Sequence, residues 1–155
     1  MTYQAKVLTV SDSVMTGERE DIGGPAVAGA LREAGFEVVE EARVVDGIAS
    51  VAGDLTRMAS AFTGLVVTTG GTGFGPRDLT PEGTAEVLDR LAPGLAEAMR
   101  RSSPLAALSR GIAGTRGHAL VLNLPGSPKG ALECLAAVVG LLPHAVGVLA
   151  GEKPH

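Results

Sequence analysis

The chain has 155 residues, 45% of them hydrophobic, with 17 acidic side chains against 13 Lys and Arg and a formal net charge of −4. This length predicts one domain over residues 1–155 with a full hydrophobic core. The negative charge and an aromatic content of 3% exclude the basic surface and the stacking platforms of nucleic-acid-binding proteins. One cysteine, Cys134, excludes an internal disulfide framework and a cysteine-rich zinc site, and we expect it to be buried in a cytoplasmic protein.

The first half of the chain alternates strand and helix patterns. Apolar, β-branched runs predict strands over 6–10, 36–45 and 65–69. Pro25 at a first helical position and Gly35 at the end bound one predicted helix. Apolar residues spaced by threes and fours predict another helix over 48–62. Alternating strands and helices predict an α/β fold in three α/β/α layers, with a mostly parallel sheet covered on both faces.

The second half of the chain adds helices and one hairpin. Predicted helices cover 80–91, 95–101 and 129–142, and the first of them starts at Thr80-Pro81. Segments 109–115 and 119–124 predict an antiparallel hairpin around 116–118. The mostly parallel sheet therefore gains an antiparallel strand near the C-terminus.

An uncharged run over 134–151 is about long enough to span a bilayer. Pro143, His144 and several glycines interrupt this run, so we expect a buried helix followed by a loop. The N-terminal residues 1–6 carry no apolar signal-peptide core. These features predict a cytoplasmic protein without membrane association.

Polar and glycine-rich segments follow four of the predicted strands. They are residues 9–13, 46–47, 68–73 and 123–127. Because ligands of parallel sheets bind beyond the carboxyl ends of the strands, we expect these four segments to converge on one site.

The longest of these segments reads Gly70-Gly71-Thr72-Gly73-Phe74-Gly75-Pro76-Arg77-Asp78. Glycines allow a close backbone approach and direct N–H groups at anionic oxygens, which makes this segment a candidate phosphate-binding loop. Pro76-Arg77 replaces the Lys-Ser/Thr of a Walker motif, and Pro76 takes the place of the last glycine in a dinucleotide motif. A flexible turn between strand and helix stays open as an alternative.

Three carboxylates, Asp12, Asp46 and Asp78, lie at or just beyond predicted strand ends. Carboxylates gathered in one cleft suit Mg²⁺, a hard cation that takes oxygen ligands and bridges to substrate phosphates. Each aspartate is also a common turn or cap residue, so the structural alternative stays open for each of them.

Basic residues are concentrated in 98–132, a segment without any acid. Such a segment in an anionic protein favours a small anionic ligand. We expect Arg110 and Lys129 to contact that ligand, with the turn at 123–127 and the helix N-terminus that follows it. Arg100 and Arg101 are expected on a solvated helix face.

The motifs together resemble the MoaB/MogA family of molybdenum cofactor biosynthesis proteins, over residues 6–142. The matching segments are Val10-Ser11-Asp12-Ser13, Val44-Val45-Asp46, Thr68-Thr69-Gly70-Gly71-Thr72-Gly73 with Arg77-Asp78-Leu79-Thr80-Pro81-Glu82, and Leu122-Asn123-Leu124-Pro125-Gly126-Ser127-Pro128-Lys129. The resemblance implies a trimer that binds molybdopterin, a pterin with a dithiolene and a terminal phosphate. It further implies Mg²⁺-dependent transfer of the adenylyl group of ATP to molybdopterin, with a metal-inserting protein as a downstream partner.

The resemblance also assigns residues. It implies Asp46 and Asp78 as the catalytic and metal-binding pair. The implied nucleotide and phosphate ligands are Ser11, Asp12, Gly70, Gly71, Thr72 and Gly73. The implied pterin-binding residues are Ser109, Arg110, Asn123, Pro125, Gly126, Ser127 and Lys129. The family often carries a second acid after the aspartate of the second strand, where this chain has Gly47.

Two alternative functions remain compatible with the residues. One is a pterin-binding protein of the same fold without adenylyl transfer. The other is a nucleotide pyrophosphate hydrolase of related fold, as in the competence/damage-inducible family, against which the Asn123–Lys129 match argues.

Overall fold

A six-stranded sheet forms the centre of the computed structural model, which describes residues 2–153. The strands are β1 (Gln4–Val10), β2 (Glu37–Val44), β3 (Gly64–Thr69), β4 (Arg90–Leu91), β5 (Ala113–Arg116) and β6 (Ala119–Leu124). Their spatial order is β2-β1-β3-β6-β5-β4. Strands β2, β1, β3 and β6 are parallel, whereas β5 is antiparallel to both β6 and β4. The mostly parallel sheet with an antiparallel strand late in the chain is therefore confirmed.

Helices cover both faces of this sheet. They are α1 (Asp12–Thr16), α2 (Gly23–Glu33), α3 (Ile48–Ala59), α4 (Thr80–Val87), α5 (Pro93–Arg100), α6 (Pro128–Val138) and α7 (Leu142–Leu149), with short 3-10 turns at Leu105–Leu108 and Val139–Leu141. Two separate clusters of buried side chains lie on the two faces, one with α2, α5, α6 and α7 and the other with α3 and α4. The three-layer architecture is confirmed.

The central strand β3 shows how the sequence specifies these layers. All six of its residues are buried, and successive side chains point to opposite faces. Leu65 and Val67 pack into the cluster of α2 and α6, whereas Val66 packs into the cluster of α3. A continuous apolar run is thus required here, because neither face of the strand contacts solvent.

Strand β4 was not predicted, and the helix expected over 80–91 ends at Val87. The two residues of β4 are exposed and carry no apolar pattern. It is held by flanking backbone bonds, from Asp89 N–H to the Thr115 carbonyl at 2.7 Å and from Ala92 N–H to the Ala113 carbonyl at 2.8 Å. A strand held only by a distant partner leaves no local signal.

The loop expected after the last buried helix is wrong, because α7 continues the helical path. Pro143 lies in the first turn of α7, where its missing N–H interrupts no helical bond. The stretch Pro128–Leu149 is long and apolar enough to cross a membrane. However, Cys134, Leu142 and Val146 on this stretch are buried in the protein core, which indicates a core helix. Burial raises the pKa of the Cys134 thiol, as expected for a buried cysteine.

Candidate functional site

The carboxyl ends of β1, β2, β3 and β6 open into one cleft of about 880 Å³. The predicted site residues that line it are Ser11, Asp46, Gly70, Gly71, Thr72, Gly73, Asp78, Ser109, Pro125, Gly126, Ser127 and Lys129. The structure thus brings the four polar strand ends together. Asp12, Arg110 and Asn123 are not among the lining residues.

The glycine loop after β3 has a backbone that only glycine tolerates at two positions. Gly70 and Gly71 have φ angles of +107° and +69°. A Cβ atom on Gly70 would overlap the Val10 carbonyl oxygen, and one on Gly71 would overlap the Thr80 hydroxyl. Thr80 fixes the loop, since its hydroxyl donates to the Gly70 carbonyl at 2.9 Å and its N–H to the Gly71 carbonyl at 3.0 Å.

The amides of this loop are available to a ligand. Within the described residues, the N–H groups of Gly71, Thr72 and Gly73 donate to no protein acceptor. All three residues line the cleft. Successive free N–H groups in a loop of this kind form a concave site for anionic oxygens.

Asp12 and Asp46 join the first two strand ends by reciprocal hydrogen bonds. The Asp12 N–H donates to Asp46 Oδ2 at 2.8 Å, and the Asp46 N–H donates to Asp12 Oδ1 at 3.1 Å. Asp12 also lies in the first turn of α1, which Ser11 caps by accepting a bond from the Val14 N–H. The two loops are therefore held as one unit.

Arg77 ties the glycine loop to that unit. Its guanidinium donates to both Asp12 carboxylate oxygens, at 3.0 and 3.1 Å, and to the Asp46 carbonyl at 2.9 Å. The bond from Arg77 lowers the pKa of Asp12. The Asp12 carboxylate thus braces the three loops, although the resemblance implied a nucleotide ligand at this position.

The Asp46 carboxylate is in a different electrostatic environment. Its pKa is raised, first by burial and then by the negative charges of Asp12 and Asp78. A carboxylate that titrates high in a ligand cleft is typical of functional sites. Unlike the Asp12 carboxylate, the Asp46 carboxylate accepts no side-chain bond from Arg77 in the described part of the chain, since Arg77 bonds only the Asp46 carbonyl.

The carboxylates of Asp46 and Asp78 lie close to the same glycine loop, at two different glycines. Asp46 Oδ1 is 3.0 Å from the position a Cβ would take on Gly71, and Asp78 Oδ2 is 3.0 Å from that position on Gly73. Asp78 Oδ2 also accepts a bond from the Gly75 N–H at 2.9 Å. The two carboxylates therefore face one region of the cleft.

These donors fit a magnesium ion that is completed by substrate. The described residues contain no group of three or more His, Cys, Asp or Glu that could hold a metal ion. Mg²⁺ keeps several waters and is commonly bound by one or two carboxylates together with substrate phosphates. Asp46 and Asp78 both line the cleft beside the glycine loop, where a cation would offset their negative charges.

The structure places two of the implied pterin-binding residues away from the cleft surface. Asn123 is 2% exposed, and its amide joins Thr68, Thr84 and the Ile112 N–H. The Arg110 guanidinium is bonded to Glu82 and to two carbonyl groups of the glycine loop segment. Neither side chain leaves its polar group directed at a ligand in this arrangement.

The turn after β6 forms the opposite wall of the cleft. Thr69 donates its hydroxyl proton to the Pro125 carbonyl at 2.8 Å, which fixes this turn to β3. Ser127 caps α6 by accepting a bond from the Gly130 N–H at 3.0 Å. Lys129 is 90% exposed and lies 4.0 Å from Glu133, so its ammonium group is free to reach an anion.

One expectation about the basic segment is wrong. Arg100 does not lie on a solvated face: it is half-buried, and its guanidinium donates to the Gly111 carbonyl at 2.7 Å. Arg101 is exposed, as expected. Arg100 thus supports the segment that carries Ser109 and Arg110.

Two segments that line the cleft were not predicted from the sequence. One is 19–23, in which the Asp21 carboxylate accepts bonds from the Gly24 N–H and from Arg43. The other is 103–108, whose Leu105 and Leu108 side chains are 74% and 53% exposed. The sequence offered one signal for segment 103–108: two leucines follow Pro104 on a short stretch without a helical period.

The backbone conformation explains why glycine, and not the second acid of the family pattern, occupies position 47. Its φ is +133°, a conformation that side-chain-bearing residues rarely adopt, and it precedes the first turn of α3. An acid here would require a different loop conformation. Glycine allows the chain to turn from Asp46 directly into α3.

Comparisons with known proteins agree with this geometry. Residues 6–144 match the family model described as "Probable molybdopterin binding domain". A curated molybdopterin adenylyltransferase of Helicobacter pylori is 40% identical over 163 residues, covering 97% of this chain and 90% of that protein. The crystal structure of the molybdopterin biosynthesis enzyme MoaB from Thermus thermophilus superposes with a TM-score of 0.92 at 48% identity, covering 99% of each chain.

A more distant solved structure resembles this chain in fold alone. A CinA protein of Thermoplasma acidophilum has a TM-score of 0.71 at 21% identity, so it shares the fold and carries no argument about activity. The family model, the curated relatives and the close structural neighbours agree with one another. The chain belongs to the molybdopterin-binding domain family that includes MoaB and MogA.

Proposed function

We propose that this chain transfers the adenylyl group of ATP to molybdopterin and releases pyrophosphate. The observation that carries the proposal is the placement of Asp46 and Asp78 beside a glycine loop with free amides, in one cleft. The relatives named molybdopterin adenylyltransferase support the same activity.

The reaction requires no nucleophilic side chain. A phosphate oxygen of molybdopterin attacks the α-phosphorus of ATP, and the bond from that phosphorus to the bridging oxygen of the β-phosphate breaks. Pyrophosphate takes the electron pair of the broken bond and leaves. Such transfers depend on positioning and on electrostatic stabilisation, which a cleft of fixed loops supplies.

The glycine loop and the two carboxylates have separate roles in this proposal. The N–H groups of Gly71, Thr72 and Gly73 stabilise the negative charge on the oxygens of the transferred group. Asp46 and Asp78 are the residues that would hold Mg²⁺, which offsets the repulsion between two anionic substrates. Arg77 and Asp12 keep the loops in register, because their hydrogen bonds span all three of them.

The remaining walls of the cleft suit the pterin half of the acceptor. Ser109 and Ser127 supply hydroxyl groups, and Leu105 and Leu108 supply an apolar surface. Lys129 is free to bind the acceptor phosphate. We further propose that the chain acts as a single-domain, cytoplasmic protein within a trimer and passes its product to a metal-inserting protein.

One incubation tests the activity. Purified chain is mixed with molybdopterin, ATP and Mg²⁺, and adenylyl-molybdopterin and pyrophosphate are measured together. Equal amounts of both products support the proposal. Molybdopterin binding without pyrophosphate release identifies a binding protein, and nucleotide hydrolysis without molybdopterin identifies a hydrolase; either result contradicts the proposal.

A further inference from the structure

Arg110 makes four side-chain hydrogen bonds, all of them to groups of the protein itself. Its Nε donates to the Gly73 carbonyl at 2.8 Å, and an Nη donates to the Asp78 carbonyl at 2.6 Å. Two further bonds, of 2.6 and 3.2 Å, reach the two oxygens of Glu82. Most of the five N–H groups of the guanidinium are thus used within the protein.

The two carbonyl groups mark the ends of one loop segment. Gly73 and Asp78 enclose Phe74, Gly75, Pro76 and Arg77, and the segment ends at the residue whose carboxylate faces the cleft. Within it, the Asp78 N–H donates to the Gly75 carbonyl, and the Gly75 N–H donates back to Asp78 Oδ2. Fixing both ends therefore fixes the direction of the Asp78 carboxylate.

Arg110 is itself firmly held. Its main-chain N–H donates to the Thr72 carbonyl at 2.9 Å, and Arg100 donates to the neighbouring Gly111 carbonyl at 2.7 Å. Glu82 lies in the first turn of α4, so the ion pair connects Arg110 to the helix that follows the loop. The pKa of Glu82 is lowered by this bond, as expected for a carboxylate in a matched pair.

We propose that Arg110 is a positioning residue that, together with Glu82, fixes the Gly73 and Asp78 ends of the loop and so orients the Asp78 carboxylate for the transfer reaction. This inference rests on the proposed function, and it replaces the implied role of Arg110 as a pterin ligand. The structural basis is the fork geometry: one planar group reaches two carbonyls and one carboxylate simultaneously. Lysine has the charge but not the fixed fork, so it cannot make these bonds together.

The test uses Arg110→Lys and Glu82→Gln, with Arg101→Lys as the matched control. Arg101 is exposed and contacts neither the cleft nor the loop. We expect kcat to fall about 10- to 100-fold in Arg110→Lys, since misplaced reacting groups cost about this much. The KM and the directly measured Kd for molybdopterin should stay within about twofold of wild type, and Arg101→Lys should be unchanged in all three.

Amide hydrogen exchange of the unliganded chain supplies a readout independent of activity. Exchange at Gly75 and Asp78 should be faster in Arg110→Lys and in Glu82→Gln than in wild type, while exchange in β3 should be unchanged. Because Glu82→Gln keeps the shape of the side chain, it replaces Arg110→Lys if that variant does not fold.

Three results would overturn the inference. A weaker Kd for molybdopterin at unchanged kcat would identify Arg110 as a ligand of the acceptor. Unchanged exchange in both variants would show that the loop does not need this fork, and faster exchange with unchanged kcat would show that the reaction does not need the fixed loop. If wild type forms no adenylyl-molybdopterin, the proposed function fails on its own, and the exchange comparison still decides whether Arg110 and Glu82 fix the loop.

Discussion

At the scale of single residues, Asp46 and Asp12 show how one pair of neighbouring carboxylates is divided between two roles. Arg77 compensates Asp12 and lowers its pKa, whereas burial and neighbouring charges raise the pKa of Asp46. The braced carboxylate supports the loops, and the uncompensated one is available to a cation. Functional carboxylates of this kind reduce the stability of the free protein.

Asp46→Asn should therefore stabilise the chain at neutral pH. With a raised pKa in the folded state, Asp46 binds more protons folded than unfolded, so its presence lowers stability as pH rises through that range. We expect the Tm of the variant to exceed that of wild type by about 1–2 °C at pH 7. Thermal unfolding at pH 7 and pH 3 measures the difference. It should vanish at pH 3, and a lower Tm for the variant at pH 7 would contradict this account of Asp46.

Arg77→Gln should raise the pKa of Asp12. The lowered pKa means that Asp12 contributes stability above its unfolded value near 3.8, and that this contribution is lost as pH falls through the lower folded pKa. Titration of the carboxyl carbons by NMR measures both aspartates. A pKa of Asp12 that is the same in the variant and in wild type would show that Arg77 does not pair with it in solution.

At the scale of elements, Asn123 connects its own strand β6 to β3, to α4 and to the segment before β5. Its amide nitrogen donates to Thr68 in β3 and Thr84 in α4, each at 3.0 Å, and its oxygen accepts from the Ile112 N–H. Asn123→Ala should cost about 2–3 kcal/mol of unfolding free energy, because it leaves buried polar groups unpaired. Urea unfolding measures this loss, and a molybdopterin Kd measured on the folded variant should stay near wild type. A stable variant with a weakened Kd would instead support a direct pterin contact.

Substitution by alanine should have opposite effects on stability at two glycines, Gly71 and Gly53. A methyl group on Gly71 would meet Thr80 and a positive φ, whereas one on Gly53, in α3, would meet open space. We expect Gly71→Ala to lose stability and adenylyl transfer, and Gly53→Ala to gain about 0.5–1 kcal/mol at unchanged activity. Denaturant unfolding with an activity assay compares them. Normal turnover by Gly71→Ala would show that the loop amides need no fixed geometry.

The elements also show what sequence reasoning can reach. The parallel strands were predictable because burial on both faces demands continuous apolar runs, as in β3. The roles of Arg110 and Asp12 were not, because their partners lie 28 to 37 and 34 to 65 residues away along the chain. A basic or acidic residue in a motif indicates a site, but only the fold decides whether it faces the ligand or braces a loop.

At the scale of the whole molecule, several large apolar side chains remain exposed on one chain. Leu91 and Leu141, which lie outside the cleft, are 66% and 58% exposed. Large exposed apolar side chains are commonly covered in oligomers, and the family resemblance implies a trimer. Sedimentation equilibrium at micromolar concentration should give three times the chain mass of 15.6 kDa. A monomer mass across that range would contradict the proposed assembly.

The proposed adenylyl transfer requires the strand ends to meet in one cleft that contains both Asp46 and Asp78. The most direct measurement is the rate of adenylyl-molybdopterin formation by Asp46→Ala and Asp78→Ala, with Glu97→Ala, an exposed acid on α5 outside the cleft, as the control. We expect each aspartate variant to lose about a thousandfold in rate while its molybdopterin Kd and the activity of the control remain those of wild type. Normal turnover by either aspartate variant would contradict the central claim.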